Sequence, residues 1–188
     1  MVSTNSYLLS GQYLIDPGGV SSDLLEQVRK DKDRLRGILL THAHYDHIAG
    51  IESIRQIVNC PIYCHAQDSR MLSDPEKNLS LWTGETVSFQ AEEVLEEGQV
   101  LPMSGGELKV LHTPGHTMGS VSFYHENAGL LFAGDTLFQA GIGRTDLPGG
   151  DHQQLLRSIR NEILNLPRAT TVLPGHGPKT TVGTEAHE

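Results

Sequence analysis

The chain has 188 residues, with a hydrophobic fraction of 37%, ten histidines and a single tryptophan. This length and composition exclude a disordered or fibrous chain and predict one globular domain over residues 1–188. The formal net charge of −9 at pH 7 argues against nucleic acid or an anionic membrane surface as the main partner, because phosphates are bound mainly through Lys and Arg.

Short apolar runs and one amphipathic segment fill the first third of the chain. Tyr7–Leu9 and Tyr13–Ile15 flank a glycine-containing turn, which predicts a β-hairpin, and Asp16–Gly19 has the composition of a second turn. The other predicted elements are an amphipathic helix that begins at Ser22 or Asp23 and carries Leu24, Leu25, Val28 and Leu35, a buried strand over Gly37–Leu40, a helix over roughly 47–58 and a strand over Pro61–Cys64.

Segment 66–98 is polar and poorly periodic, which predicts a short helix and exposed loops. The later predicted elements are strands over 107–112, 120–125 and 129–133, a helix that begins near Asp151 and continues to Leu164, and a last strand over Thr170–Leu173. Because helices alternate with strands along the chain, the predicted fold class is α/β or mixed α+β, arranged in layers.

Targeting and cysteine patterns favour a soluble cytoplasmic protein. Met1–Asn5 has neither the basic nor the apolar region of a signal peptide, and no apolar run approaches the ~20 residues that a membrane-spanning helix needs. Cys60 and Cys64 are too few for a disulfide framework, so we interpret them as buried thiols in a reducing compartment. We therefore expect no membrane partner.

The strongest chemical feature is Thr41–His47, which reads THAHYDH and places three imidazoles and a carboxylate directly after a buried strand. His42 and His44 project to the same side of an extended segment, so they can bind one metal ion. Asp46 and His47 are consecutive and must point in different directions, which suits a second ion. Imidazole nitrogen and carboxylate oxygen are suitable ligands for Zn²⁺, Fe and Mn²⁺.

Three separate residues later in the chain have the same chemistry. His116, Asp135 and His176 each follow an apolar strand and have a glycine as neighbour. Glycine allows the backbone to approach closely and to turn a side chain inward. The sequence therefore predicts seven candidate metal ligands: His42, His44, Asp46, His47, His116, Asp135 and His176.

The motif T-H-x-H-x-D-H, followed by separated His, Asp and His, resembles the signature of the metallo-β-lactamase superfamily. The resemblance implies a four-layer αβ/βα sandwich of two mixed β-sheets flanked by helices. It also implies two divalent metal ions, with Zn²⁺ expected and Fe or Mn²⁺ as alternatives. In the implied assignment His42, His44 and His116 bind one ion, Asp46, His47 and His176 bind the other, and Asp135 bridges both.

Within that superfamily the chain is similar to short, single-domain hydrolases of the glyoxalase II (hydroxyacylglutathione hydrolase) type. The similarity rests on Gly143–Asp146, Pro148–Asp151 and the closing Pro174–Pro178. It implies hydrolysis of a small-molecule thioester such as S-lactoylglutathione. The nucleophile would be a metal-bridging hydroxide, and Asp46 would orient the attacking water as well as bind metal.

Two other functions are alternatives. Persulfide dioxygenases of the same superfamily carry a single Fe on residues that match His42, His116 and Asp135, so an Fe-dependent oxidoreductase on this scaffold is the main rival. A non-catalytic binding module is disfavoured by the complete set of ligands. Metal content and oxygen uptake with glutathione persulfide would separate the two enzymes.

Five further residues are candidates for supporting roles. The resemblance places Asp16 near the metals, where Asp16, Thr41 and Thr117 would orient ligating imidazoles. Arg144 would either bind a substrate carboxylate through its planar guanidinium or pair with a nearby aspartate. Tyr45 would either line the mouth of the site or pack as an aromatic side chain.

Overall fold

The computed structural model describes residues 3–186, and the chain divides into two compact units with the boundary between Val94 and Leu95. Each unit is built on its own mixed β-sheet. No helix within residues 3–186 has the length and apolar composition needed to cross a membrane. The expectation of one domain over residues 1–188 stays a prediction.

The N-terminal unit contains a five-stranded sheet with helices between its strands. In chain order its elements are β1 (Tyr7–Leu9), β2 (Tyr13–Ile15), α1 (Ser22–Asp31), β3 (Gly37–Leu39), α2 (Tyr45–Ile48), α3 (Ile51–Arg55), β4 (Ile62–His65), α4 (Ala66–Leu72), a 3₁₀ turn (Ser80–Trp82) and β5 (Glu93–Leu95). The strand order is β1-β2-β3-β4-β5, in which β1 is antiparallel to β2 while β2, β3 and β4 are mutually parallel.

The predicted hairpin and buried strand of this unit are confirmed, whereas two helix predictions need correction. Tyr7 pairs with Ile15 across the hairpin, as the turn between them requires. Helix α1 is capped by Ser21, whose hydroxyl accepts the Leu24 N–H, and it ends before Leu35. The helix predicted over 47–58 is two short helices, because the chain turns at Gly50, where a Cβ would lie 2.5 Å from the Pro17 carbonyl oxygen.

Packing explains why such short helices persist in the N-terminal unit. Isolated helices of four or five residues are not stable in water. Here Ile48 of α2 and Ile51 and Ile54 of α3 are fully buried against Ile38 and Ile62 of the sheet. Burial of each such side chain contributes roughly 1.5–3 kcal/mol relative to exposure, so the core rather than helix propensity holds these turns in place.

The C-terminal unit contains a six-stranded sheet and a small two-stranded one. Its elements are β6 (Val100–Met103), β7 (Gly106–His112), β8 (Val121–His125), β9 (Leu130–Gly134), β10 (Leu137–Phe138), β11 (Gly141–Ile142), α5 (His152–Ser158), a π-helical turn (Ile159–Ile163), β12 (Thr171–Pro174), β13 (Thr180–Thr181) and α6 (Val182–Glu185). The larger sheet has the order β13-β12-β9-β8-β7-β6, and only the β9–β12 pair is parallel among the registers described.

The longer strands and the helix of this unit are confirmed, and the shortest elements were not predicted. Strands β6, β10, β11 and β13 have two to four residues, too few to establish an alternating pattern. The helix predicted to reach Leu164 continues from α5 into the π-helical turn, in which the Leu164 N–H donates to the Ile159 carbonyl at 2.9 Å. Leu155, Ile159 and Ile163 form part of the core of this unit.

Candidate metal centre

Four of the predicted ligands lie in the N-terminal unit, in the segment that leads from β3 into α2. We call His42, His44, Asp46 and His47 the N-terminal ligand cluster. The three imidazoles are buried, while the Asp46 side chain is 42% exposed. His44 is the N-cap of α2 and has an extended backbone, whereas Asp46 and His47 lie inside the helix. The ligands before the helix and the ligands inside it therefore project in different directions.

The side chains of this cluster lie close together. The His42 ring centroid lies 4.8 Å from that of His44 at an interplanar angle of 90°, and 4.1 Å from that of His47. Nε2 of His47 and Oδ2 of Asp46 are 3.8 Å apart. The turn after β2 packs on the backbone of this segment, since a Cβ on Gly18 would lie 1.6 Å from the Asp46 carbonyl oxygen. The backbone of the motif is therefore tightly packed.

Asp16 connects the parts of the N-terminal ligand cluster through hydrogen bonds. It follows β2 directly, and its N–H donates to the Leu39 carbonyl of β3 at 3.1 Å. Its Oδ1 accepts the Thr41 N–H at 2.8 Å, and its Oδ2 accepts the Thr41 hydroxyl at 2.6 Å and His47 Nδ1–H at 2.9 Å. A carboxylate can only accept here, so His47 carries its proton on Nδ1, which leaves Nε2 as the ring nitrogen suited to ligation.

Thr41 extends the same arrangement to His42. Its Oγ1 lies 3.1 Å from His42 Nδ1. Because the Thr41 hydroxyl donates its proton to Asp16, its oxygen accepts from His42 Nδ1–H. Both imidazoles therefore present Nε2 as the metal-binding nitrogen, which is the geometry expected of residues that orient ligating histidines.

Asp68 supports the motif and was not predicted from the sequence. This residue lies in the first turn of α4, is fully buried, and accepts the Ala43 N–H at 3.1 Å through Oδ2. The signal available in the sequence was a carboxylate at helical spacing from Met71 and Leu72, on the apolar face of a helix. Burial above all, followed by the charge of Asp68, raises the pKa of the Cys64 thiol well above its usual value.

Tyr45 packs beneath a loop rather than projecting as a free ring. Its side chain is 9% exposed, its N–H donates to the Asn78 carbonyl at 2.7 Å, and its hydroxyl donates to Glu85 at 2.6 Å. The hydrogen bond to Glu85 raises the pKa of Tyr45, so the phenol remains a neutral donor. The packed aromatic is thus the better of the two interpretations, and a substrate contact by Tyr45 stays a prediction.

The other three predicted ligands lie in the C-terminal unit and form the C-terminal ligand cluster: His116, Asp135 and His176. Parallel pairing of β9 with β12 places Pro174 opposite Gly134, and the Gly175 N–H donates to the Gly134 carbonyl at 2.7 Å. The residues that follow these two strands therefore meet at one sheet edge. Asp135 Oδ2 lies 3.4 Å from His176 Nε2 and 3.7 Å from His116 Nε2.

These separations suit a shared metal ion. Two donors that each lie about 2 Å from one tetrahedral ion are roughly 3.3 Å apart, close to the spacing of the C-terminal ligand cluster. His116 Nδ1 lies 2.7 Å from the Arg144 carbonyl oxygen, which only accepts, so this ring also directs Nε2 toward Asp135. The donor chemistry and spacing fit a divalent cation.

Glycines allow this cluster to form. A Cβ on Gly143 would lie 1.8 Å from the Asp135 carbonyl oxygen. Gly115, at φ +136°, brings the His116 turn against α5, where a Cβ would lie 2.3 Å from the Leu155 nitrogen. Side chains other than hydrogen are excluded at both positions.

The remaining predicted residues occupy supporting positions. Thr117 shapes the His116 turn, since its N–H and hydroxyl both bond to the Ser120 hydroxyl, at 3.1 and 2.7 Å. Arg144 holds the Asp146 carboxylate through Nε and Nη2, both at 2.7 Å, and this lowers the pKa of Asp146 to about 2. The structure thus shows the aspartate pairing of Arg144. A substrate contact by Arg144 and imidazole orientation by Thr117 stay predictions.

Comparison with known proteins identifies the family to which the chain is similar. Residues 1–176 match the family model of the Metallo-beta-lactamase superfamily. The chain is 41% identical to the "Probable metallo-hydrolase YqgX" of Bacillus subtilis, with 98% of this chain and 90% of the relative covered. It is 34% identical to the hydroxyacylglutathione hydrolase GloC of Haemophilus influenzae, with 92% and 82% covered.

Solved structures give the same result for the fold. The BLEG-1 B3 metallo-beta-lactamase aligns with a TM-score of 0.88 at 41% identity, covering 98% of this chain and 92% of the other. TTHA1623, solved in a di-iron-bound form, aligns with a TM-score of 0.83 at 37% identity, covering 98% and 93%. The predicted fold class is confirmed: two mixed β-sheets flanked by helices, as in the αβ/βα metallo-β-lactamase fold.

Fold and donors together define a metal-dependent hydrolase scaffold that uses divalent metal. The chain belongs to the metallo-beta-lactamase superfamily.

Proposed function

We propose that the protein is a binuclear metal-dependent hydrolase that cleaves a thioester such as S-lactoylglutathione. One observation carries the proposal: the full set of seven donors occurs in a chain that is 34% identical to a hydroxyacylglutathione hydrolase over 92% of its length. We also propose a cytoplasmic location, which suits two buried free cysteines and a thiol carrier that requires a reducing compartment.

The proposed ligands follow the family pattern. His42, His44 and His116 would hold one ion, Asp46, His47 and His176 the other, and Asp135 both, with Zn²⁺ as the expected metal. When bound, the ions would lower the pKa of a coordinated water to about 7 and polarise the thioester carbonyl. The histidine tautomers support this assignment, because Asp16, Thr41 and the Arg144 carbonyl each bind an Nδ1–H.

The chain's own residues account for the remaining requirements. Asp46 has the exposed carboxylate of the N-terminal ligand cluster, so it is placed to accept a proton from an attacking water. A cysteine nucleophile is disfavoured, because both thiols are buried and burial raises the pKa of Cys60 and of Cys64. Water is therefore the proposed nucleophile.

Metal analysis of the purified protein beside a hydrolysis assay tests the proposal. We expect two divalent ions per chain by mass spectrometry and hydrolysis of S-lactoylglutathione that chelation abolishes and added Zn²⁺ restores. A single Fe per chain, with oxygen uptake on glutathione persulfide and no thioester hydrolysis, would instead support the dioxygenase. A protein that keeps full hydrolytic activity after complete removal of metal would contradict both.

A further inference from the structure

Two exposed apolar side chains stand together on the loop that precedes β5. Leu81 is 51% exposed and Trp82 is 74% exposed, the highest value among the large apolar side chains of residues 3–186. Both belong to the 3₁₀ turn Ser80–Trp82. Neighbouring exposed apolar side chains are a candidate contact surface for an apolar ligand.

The segment that carries them, which we call the 78–85 loop, is fastened to the metal-ligand motif. The carbonyl of Asn78 accepts the Tyr45 N–H at 2.7 Å, and Glu85 accepts the Tyr45 hydroxyl at 2.6 Å. Tyr45 stands between His44 and Asp46, two of the proposed ligands. The two ends of the loop therefore bind the one residue that separates these ligands.

The exposure of the pair is imposed by an ordered loop. Asn78 is fully buried, and its side chain donates to the Leu72 and Val87 carbonyls at 3.3 and 3.0 Å. Its Oδ1 accepts the Ser80 N–H at 2.9 Å. The next residue, Leu79, is held at φ 71°, a strained conformation for a branched side chain that persists only where the surroundings enforce it.

The next apolar side chains along the chain are partly buried, unlike the exposed pair. Val87 and Phe89 pack against the core of the N-terminal unit. The charged groups beside the turn do not favour an anionic ligand, since Lys77 pairs with Asp74 at 3.1 Å. The remaining ionisable side chains within residues 74–85 are Glu76 and Glu85. The patch therefore favours an uncharged apolar group.

We propose that Leu81 and Trp82 contact the acyl chain of the substrate, so that the enzyme prefers thioesters whose acyl groups are longer and more apolar than lactoyl. This inference rests on the proposed function and names its substrate class. Each acyl methylene fully buried against the pair would strengthen binding by about fourfold. The indole offers a broad flat surface for such a chain.

A matched series of S-lactoyl-, S-butanoyl- and S-hexanoylglutathione tests the inference with the metal-loaded enzyme. We expect KM to fall along the series in the wild type. Trp82→Ala should raise KM for the hexanoyl substrate about tenfold and for the lactoyl substrate less than twofold, with kcat unchanged. Trp82→Phe should recover most of the difference. The control is Val94→Ala, which removes a side chain of β5 that is 49% exposed and should leave KM and kcat for all three substrates unchanged.

The outcomes separate this inference from the proposed function. Wild-type enzyme that hydrolyses none of the three thioesters overturns the proposed function and the inference with it. Wild-type enzyme that hydrolyses them all, with Trp82→Ala raising every KM equally or none, overturns the inference alone.

Fluorescence gives a readout that needs no turnover, because Trp82 is the only tryptophan of the chain. S-hexylglutathione, a thioether that cannot be hydrolysed, should shift the emission to the blue in a saturable way, whereas S-methylglutathione should shift it much less. Competitive inhibition by S-hexylglutathione without any change in emission would show that the chain binds elsewhere.

Discussion

The Asp16 carboxylate lies 2.9 Å from Nδ1 of His47, and both side chains are almost completely buried. The same carboxylate accepts two hydrogen bonds from Thr41, so one residue orients His47 directly and His42 through a hydroxyl. Asp16 thus sets the tautomer of two proposed ligands without binding metal itself in the proposed assignment.

Removal of this carboxylate should weaken both metal binding and the fold. Asp16→Ala leaves the Thr41 N–H and His47 Nδ1–H without their buried acceptor, at a cost of about 3 kcal/mol in unfolding free energy. Metal affinity should fall by about 10–100-fold. Urea denaturation of the metal-free protein measures the first effect and chelator competition the second. Asp23→Ala, at an exposed position in α1, is the control and should leave metal affinity unchanged.

Asp68 should matter for the conformation of the motif. Asp68→Ala removes the buried acceptor of the Ala43 N–H and leaves a cavity, which should destabilise the protein by roughly 2 kcal/mol. The midpoint of urea denaturation reports the loss. Asp68→Asn retains an oxygen acceptor and should recover part of it. Equal stability of the alanine variant and the wild type would show that Ala43 does not depend on this bond.

Gly143 and Gly141 form a matched pair of substitutions. A Cβ at Gly143 would lie 1.8 Å from the Asp135 carbonyl oxygen, whereas one at Gly141 has no heavy atom within 4 Å. Gly143→Ala should therefore displace Asp135, destabilise the protein by about 1–3 kcal/mol and lower its metal content. Gly141→Ala should keep wild-type stability and metal. Thermal denaturation of both variants measures their stability, and mass spectrometry measures their metal content.

Asp135 should be indispensable to the proposed centre, because it lies within 3.4–3.7 Å of His176 and His116. Asp135→Ala should lose bound metal and reduce thioester hydrolysis by more than about a hundredfold. Asp33→Ala, which removes an exposed carboxylate, is the control. Full metal content and an unchanged rate in Asp135→Ala would show that the bridging assignment is wrong.

The Arg144–Asp146 pair predicts a titration at low pH. Hydrogen bonding to Arg144 depresses the pKa of Asp146 from its ordinary 3.8 to about 2. The interaction is therefore present above pH 3.8 and is lost as the pH falls through about 2. Carboxyl NMR titration of Asp146 should give the low midpoint, and Arg144→Gln should return it toward 3.8. Both side chains are exposed, so global stability should barely change.

Local pattern and long-range contact contribute differently to this fold. The hairpin Tyr7–Ile15 and the buried strand at Gly37 follow from apolar spacing and turn residues that are neighbours in the chain. The break between α2 and α3 does not follow from local pattern, because the apolar spacing continues through it. The helix is interrupted by a distant group, the Pro17 carbonyl, which accepts the Gly50 N–H. Asp68 was missed for the same reason, since its acceptor role depends on Ala43, in another element.

The sequence by itself determined the donor chemistry, the superfamily resemblance and the close spacing of His42, His44, Asp46 and His47, because residues a few positions apart remain near one another in any fold. Tertiary structure decided which ring nitrogen each histidine presents. His47 is oriented by Asp16, 31 residues away, and His116 by the Arg144 carbonyl, 28 residues away. Such hydrogen bonds join strand ends and loops that meet only when the sheets assemble, so no local pattern encodes them.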